Sequence, residues 1–372
     1  MTNLNGGLGV IQSPASLSLE ITSKCNLRCS YCYHFDSVSG ECENLPTDEW
    51  LRFIEELQSL KVLSVIISGG EPFMRPDLFA ILKKCADCNI RYTILTNGTM
   101  ITEADAARIA EIGRSGIIQV SLDGIGEVND LARGKGSFEK AVRGIRNLMT
   151  AGLNVYPNVT LSHHNIGHFE ETTDFLLNTL GVKRFGTIAA SVSESNSKDP
   201  EQVEPTIQEY AEAMRAIQKM LKKYPRRIQG RSGPCATLHE WKNMLRAKRD
   251  NIPVLFGGCH ASCGMVFQAL SVRSDGAILA CTTWPTHVLG YINRDKLADV
   301  WKNSPFLNEL RACRRKPLSD YEYCRSCDYS PYCIGACPAV AWQYNDGSRP
   351  SCAAHLCLRK FLEVCPDFDF ES

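Results

Sequence analysis

No apolar stretch in this 372-residue chain approaches the roughly 20 residues that cross a bilayer. The segment Met1 to Leu19 lacks both a basic run and a continuous apolar run, so it does not read as a secretory signal. Neither sign of charge is in excess. Lys plus Arg and Asp plus Glu each total 41, which removes the reason to expect nucleic acid or an anionic membrane as a partner. No internal repeat at a solenoid period and no extended low-complexity tract are present. These absences lead us to expect a soluble, cytoplasmic protein, long enough for one large α/β domain and a smaller appendage.

Cysteine is abundant. Eighteen are present, nine of them between Cys259 and Cys352. With no signal peptide in view, metal or redox chemistry is a better reading than disulfides. Eighteen is also too many for nucleophiles alone.

From about residue 15 to 190, short apolar runs alternate with amphipathic stretches. Strands are expected at Leu17–Thr22, Leu63–Ser68, Tyr92–Thr96, Ile117–Leu122, Val155–Leu161 and Arg184–Ala189. Helices are expected at Thr47–Leu60, Asp77–Cys85, Glu103–Ile112, Phe138–Ala151 and Phe169–Leu180. Strict β–α alternation implies a parallel sheet, as a partial barrel or a doubly wound sheet. Ala190–Glu204 reads as a loop, and Pro205–Lys223 and Ala236–Arg249 as further helices. After Pro253 short segments are punctuated by Gly, Pro and Cys. The expected division is therefore 15–225, a helical connector at 226–254, and a cysteine-rich domain at 255–372.

Cys25, Cys29 and Cys32 directly follow the first strand. Three thiolates on one loop can hold three irons of a cubane 4Fe–4S cluster and leave the fourth iron open. A loop after a parallel strand also lies at the end where α/β barrels carry active sites. The alternative is a zinc site, which normally wants a fourth protein ligand.

The C-x3-C-x2-C loop resembles the signature of the radical S-adenosylmethionine (SAM) superfamily. The resemblance implies a partial (β/α)6 TIM barrel. It also implies that the open iron binds SAM and that one electron cleaves SAM to a 5′-deoxyadenosyl radical. Ser68-Gly69-Gly70-Glu71-Pro72, at the end of the second strand, resembles the family's glycine-rich turn. There Gly69 and Gly70 would let the backbone approach a ligand, and Glu71 would accept from the SAM ammonium. Ser121 and Asp123 share one face of the fourth strand and resemble the ribose-binding pair. Arg133 resembles an Arg that pairs with the SAM carboxylate. Asn97 closes the third strand, and Tyr31 and Tyr33 offer aromatic faces. The implied cofactor contacts are Tyr31, Gly69, Gly70, Glu71, Asn97, Ser121, Asp123 and Arg133.

Cys324-x2-Cys327-x5-Cys333-x3-Cys337, with Gly276-x4-Cys281 upstream, resembles the SPASM domain. That resemblance implies two auxiliary 4Fe–4S clusters, three clusters in all. The first would use Cys259, Cys263, Cys281 and Cys337. The second would use Cys324, Cys327, Cys333 and Cys352, with Cys357 a rival for the last place. Fully ligated clusters suit electron transfer. Among the remaining thiols, Cys235 is the candidate hydrogen donor to a substrate radical.

SPASM enzymes mostly modify peptides, so the resemblance implies hydrogen abstraction from a ribosomally made precursor peptide, giving a cross-link, an oxidation or an epimer. Thr282, Thr283 and Trp284 follow Cys281, where sulfatase maturases carry a catalytic Asp, and this argues against that activity. With 24 residues before Cys25, no N-terminal peptide-binding domain is expected. The expected partners are the peptide, a flavodoxin or ferredoxin-type electron donor, and a separate peptide-recognition protein. Two alternatives stand beside this: a small-molecule substrate such as an aminocyclitol or tetrapyrrole, and a non-catalytic iron–sulfur electron carrier.

Overall fold

Leu17, Leu19 and Ile21 alternate with Ser18, Glu20 and Thr22, and the alternation makes β1 (Ser16–Thr22) a strand with a fully apolar back. That back packs under α1 (Thr47–Ser59), whose buried stripe is Trp50, Phe53, Ile54 and Leu57. The same unit recurs along the chain. β2 (Ser64–Gly69) leads to α2 (Leu78–Asp87), and β3 (Arg91–Thr96) to α3 (Glu103–Ile112). A capping box between Thr102 and Asp105 starts α3. β4 (Ser115–Ser121) leads through α4 (Glu127–Arg133) into α5 (Ser137–Thr150). β5 (Val155–Leu161) precedes α6 (Phe169–Asp174), and β6 (Phe185–Ala189) precedes α7 (Ile207–Lys223). A two-residue β7 (Ile228–Gln229) and α8 (Gly233–Asp250) complete the first half.

The computed structural model describes residues 10–32, 43–191, 204–230, 232–339 and 356–371. Strands β1 to β7 are all parallel and lie in sequence order, the opened sheet of a partial barrel. All six expected strands form. The stretch expected as one helix over Phe169–Leu180 instead passes from α6 into a π-helical turn at Phe175–Thr179, and α4 was not expected.

The larger difference lies in the cysteine-rich region. Among the described residues three strands form there: β8 (Ala269–Val272), β9 (Ala277–Leu279) and β10 (Val288–Tyr291). β8 pairs in parallel with β1 from Ser16↔Ala269 to Leu19↔Val272. β9 and β10 follow antiparallel. One ten-stranded sheet therefore runs in the order β10-β9-β8-β1-β2-β3-β4-β5-β6-β7. The C-terminal tail is tied in by aromatic packing. Trp241 of α8 meets Phe361 at 4.9 Å between ring centroids, and Phe368 and Phe370 complete the cluster. Among the described residues no helix is long and apolar enough to cross a membrane.

Candidate active site

The loop after β1 is clamped by the turn after β2. Gly70 N–H donates to Thr22 O and Glu71 N–H to Lys24 O, both at 2.8 Å. A Cβ on Gly70 would stand 2.3 Å from Lys24 O, and one on Gly69, whose φ is +127°, 2.3 Å from Thr22 O. What the two glycines let approach is therefore the backbone of the thiol loop itself. Both glycines also line the cavity described below.

Glu71 is fully buried. Its carboxylate accepts from Thr96 Oγ1 at 2.8 Å, Asn97 N at 2.8 Å and Phe73 N at 3.1 Å. Burial pushes the carboxyl up to about 7, against these three bonds. Glu71 thus braces the turn after β3 and does not line the cavity described below. Asn97 takes up the outer position. It donates to Asn26 Oδ1 at 2.9 Å and lies 3.8 Å from Cys25 Sγ.

Asp123 is also buried, and four donors converge on it. Tyr31 Oη donates to Oδ2, Arg133 Nε to Oδ2 at 2.6 Å, Arg133 Nη2 to Oδ1 at 3.2 Å, and Thr160 N to Oδ1 at 2.8 Å. Its oxygens are occupied, so of the expected ribose pair only Ser121 reaches the cavity. Arg133 lies over the Tyr31 ring at 5.6 Å, and its Nη1 is 4.0 Å from Cys29 Sγ.

The cavity at this end of the sheet has a volume of about 350 Å³. Cys25, Cys29 and Cys32 form one wall, and Tyr31, Gly69, Gly70, Asn97, Ser121 and Arg133 join them. Four further polar contributors were not anticipated as site residues. Gln119 stands two residues before Ser121 on the same strand face, so strand alternation alone could have flagged it. Thr160 reaches in from β5. Thr282 and Thr283 reach in from the C-terminal region.

The donor set fits an iron–sulfur group. Burial raises the Cys25 thiol and pushes Cys29 up to about 11, and the neighbouring thiols add to both. Thiols this crowded ionise together only when a cation sits among them.

In the C-terminal region Cys263, Cys281 and Cys337 come together. Burial pushes Cys281 up to about 11, with Cys337 and Cys263 adding. Cys324, Cys327, Cys333 and Cys357 line a cavity of about 530 Å³ together with Cys263 and Cys337, though not Cys281, beside Glu240 and Trp241 of α8. Burial pushes Cys333 up to about 12, with Glu240, Cys324 and Cys357 adding. Cys352, the expected last ligand, lies outside the described residues, as do Tyr33 and Cys42; it is Cys357 that stands with the other three. Cys259 is held in a bridge to Pro317 and does not line that cavity. Cys235 is half-buried against Thr187 and lines neither cavity.

Comparison with known proteins agrees with this geometry. Residues 19–176 match the family model described as the radical SAM superfamily, and residues 263–328 match SPASM, an iron–sulfur cluster-binding domain. The chain is 30% identical over 362 residues to the mycofactocin maturase MftC of Mycobacterium tuberculosis, covering 92% of this chain and 83% of that protein. It is 28% identical over 353 residues to an AdoMet-dependent heme synthase of Methanosarcina barkeri, covering 90% of this chain and 94% of that protein. In fold it resembles Streptococcus suis SuiB bound to the precursor peptide SuiA, with a TM-score of 0.73 at 19% identity over 92% of this chain and 75% of that one.

Proposed function

The chain belongs to the radical SAM superfamily and carries a SPASM domain, and from that premise we propose that it abstracts a hydrogen atom from a ribosomally made peptide. The family implies SAM and 4Fe–4S clusters. We assign one cluster to Cys25, Cys29 and Cys32, one to Cys263, Cys281 and Cys337 with Cys259, and one to Cys324, Cys327 and Cys333 with Cys352 or Cys357. Held by Cys25, Cys29 and Cys32, a cluster would supply, when bound, the electron for reductive cleavage of SAM.

The chain's own residues provide the rest. Ser121 and Asn97 offer hydroxyl and carboxamide groups to SAM from the ends of β4 and β3. Asp123 and Glu71 act a step behind, holding Tyr31, Arg133 and Asn97 in place. Leu27, Leu95 and Ile188 line the cavity with apolar surface, which keeps water from a reactive radical.

One observation carries the peptide reading. Among the described residues the cavity has a single cationic side chain, Arg133, and its charge is committed to Asp123. Beside Asn97 and Ser121, assigned above to SAM, the other polar side chains apart from the thiols are carboxamides and hydroxyls, among them Gln119, Thr160, Thr282 and Thr283. These complement a neutral peptide amide, which both donates and accepts. A tetrapyrrole bearing carboxylates would call for cations. The second reading, a tetrapyrrole, is supported by the likeness to a heme synthase along 94% of its length.

The test is anaerobic reconstitution, followed by dithionite and SAM with short peptides encoded beside the gene or with an iron porphyrin. Faster 5′-deoxyadenosine release with a mass change on the peptide supports the proposal. The same response to the porphyrin alone would replace it. A flavodoxin or ferredoxin-type protein is the proposed physiological donor and a separate recognition protein the proposed carrier of the peptide, so the assay is run with and without neighbouring gene products.

A further inference from the structure

Arg133 has three guanidinium nitrogens, and two of them are spoken for. Nε and Nη2 are fixed by Asp123 at 2.6 and 3.2 Å, and Nη1 is 4.0 Å from Cys29 Sγ. Asp123 in turn is held by Tyr31, the residue between Ser30 and Cys32, and by the backbone of Thr160 on β5. The loop is fastened once more where Ser30 N–H donates to Ala132 O at 2.9 Å, one residue before Arg133. A charged group is thus locked against one thiol of the three, and only 7% of Arg133 is exposed. Arg28 is the instructive contrast. It also touches the loop, donating to Cys25 O at 2.8 Å and Leu27 O at 2.9 Å, but it is exposed. Water and salt screen Arg28, whereas a buried charge acts at much lower effective dielectric.

We propose that Arg133, aimed by Asp123 and Tyr31, is a positioning residue for the cluster's electronics: its fixed positive charge beside Cys29 raises the reduction potential of the catalytic cluster before SAM binds. Hydrogen bonds and charge at ligand sulfurs are established levers on cluster potential. The Arg133–Asp123 pair is neutral overall, so its effect comes from orientation, with the cation turned toward the sulfur and the anion behind it. This goes beyond the substrate reading above and depends only on a cluster at Cys25, Cys29 and Cys32. Cys25→Ala with iron counting tests that premise separately.

The experiment is an equilibrium redox titration of the reconstituted full chain without SAM, following the reduced-cluster EPR signal against low-potential mediators. Arg133→Gln leaves the Asp123 anion facing the cluster, so the ratio of reduced to oxidised cluster at a fixed mediator potential should fall about tenfold, equivalent to about 59 mV for one electron. Arg133→Lys, which keeps the charge, should recover most of the loss. Asp123→Asn, which removes the anion and leaves the cation, should shift the ratio the opposite way. Opposite signs in two partners of one salt bridge are a signature that mere loosening of the loop does not produce. An unchanged SAM-free ratio in Arg133→Gln, with weakened SAM binding, would assign Arg133 to the SAM carboxylate and overturn the proposal. If Arg133→Gln does not retain iron, Asp123→Asn decides: reduction no easier than in the wild type overturns it as well.

Discussion

The two thiol-bearing regions are built on opposite principles. Around Cys25, Cys29 and Cys32 polar side chains form two hydrogen-bonded groups behind a single loop: Asp123 with Arg133 and Tyr31, and the buried Glu71 with Asn97 and the exposed Asn26. Around Cys263, Cys281, Cys333 and Cys337 it relies on burial and on the thiols themselves, with Glu240 the carboxylate alongside. In the assignment proposed above, an iron left open for SAM would need its three ligands aimed by something other than a fourth ligand, and these two groups would supply that aim. A cluster with four thiolates orients itself, and the chain around it can be loop-rich.

The sharpest way to break the comparison is to remove one set of ligands at a time. Replacing Cys25, Cys29 and Cys32 together by Ala should abolish 5′-deoxyadenosine formation and remove about a third of the bound iron. Replacing Cys324 and Cys333 should remove a similar share while dithionite-driven SAM cleavage persists. Iron and sulfide counting beside a deoxyadenosine assay reads both, and loss of all iron in the first variant would show that the two regions load as one.

A smaller effect tests the buried network through pH. The Glu71 carboxyl, ordinarily near 4.5, is pushed up to about 7 by burial, so the folded state holds a proton that the unfolded state releases. Between those values stability should therefore fall as pH rises, by on the order of 3 kcal/mol, and then level off. Urea midpoints of the apo-protein across that interval measure the decline, and Glu71→Gln should flatten it. A wild-type curve that rises instead would mean that the three hydrogen bonds outweigh desolvation.

The smallest effect concerns helix starts. α3 opens with a complete capping box, whereas the C-terminal helix Leu358–Val364 has Cys357 at its N-cap with no side-chain cap bond. Thr102→Ala should cost about 1 kcal/mol in chemical denaturation. Cys357→Ala should leave apo-protein stability within about half of that, and any iron it loses then reports ligation.

Much of the barrel half was legible because its signals are local. Leu17, Leu19 and Ile21 announce a strand by alternation, Thr102 and Asp105 announce a helix, and three thiols after a strand announce a cluster loop. What sequence reading missed is long-range. Ala269–Val272 is a four-residue Ala-Leu-Ser-Val run, too short for a periodicity to declare it a strand, and its partner β1 lies some 250 residues earlier. Asp123 reads as half of a ribose-binding pair, and only the structure shows Tyr31 and Arg133 on its oxygens. Glu71 reads as a ligand-facing carboxylate until Thr96 and Asn97 are found across the turn. In each case residue type was right for the chemistry, and the partner that decides its role came from another strand.

The pairing of β8 with β1 makes the chain indivisible. The strand that launches the catalytic loop is the same strand whose other edge carries the SPASM hairpin, so neither half has a finished sheet edge without the other. Cutting between them exposes an unpaired parallel edge on both products, a template for aggregation. The two regions look like separable cassettes in sequence, yet a chimera that swaps the C-terminal region for a relative's must also bring a β8 that fits Ser16–Leu19.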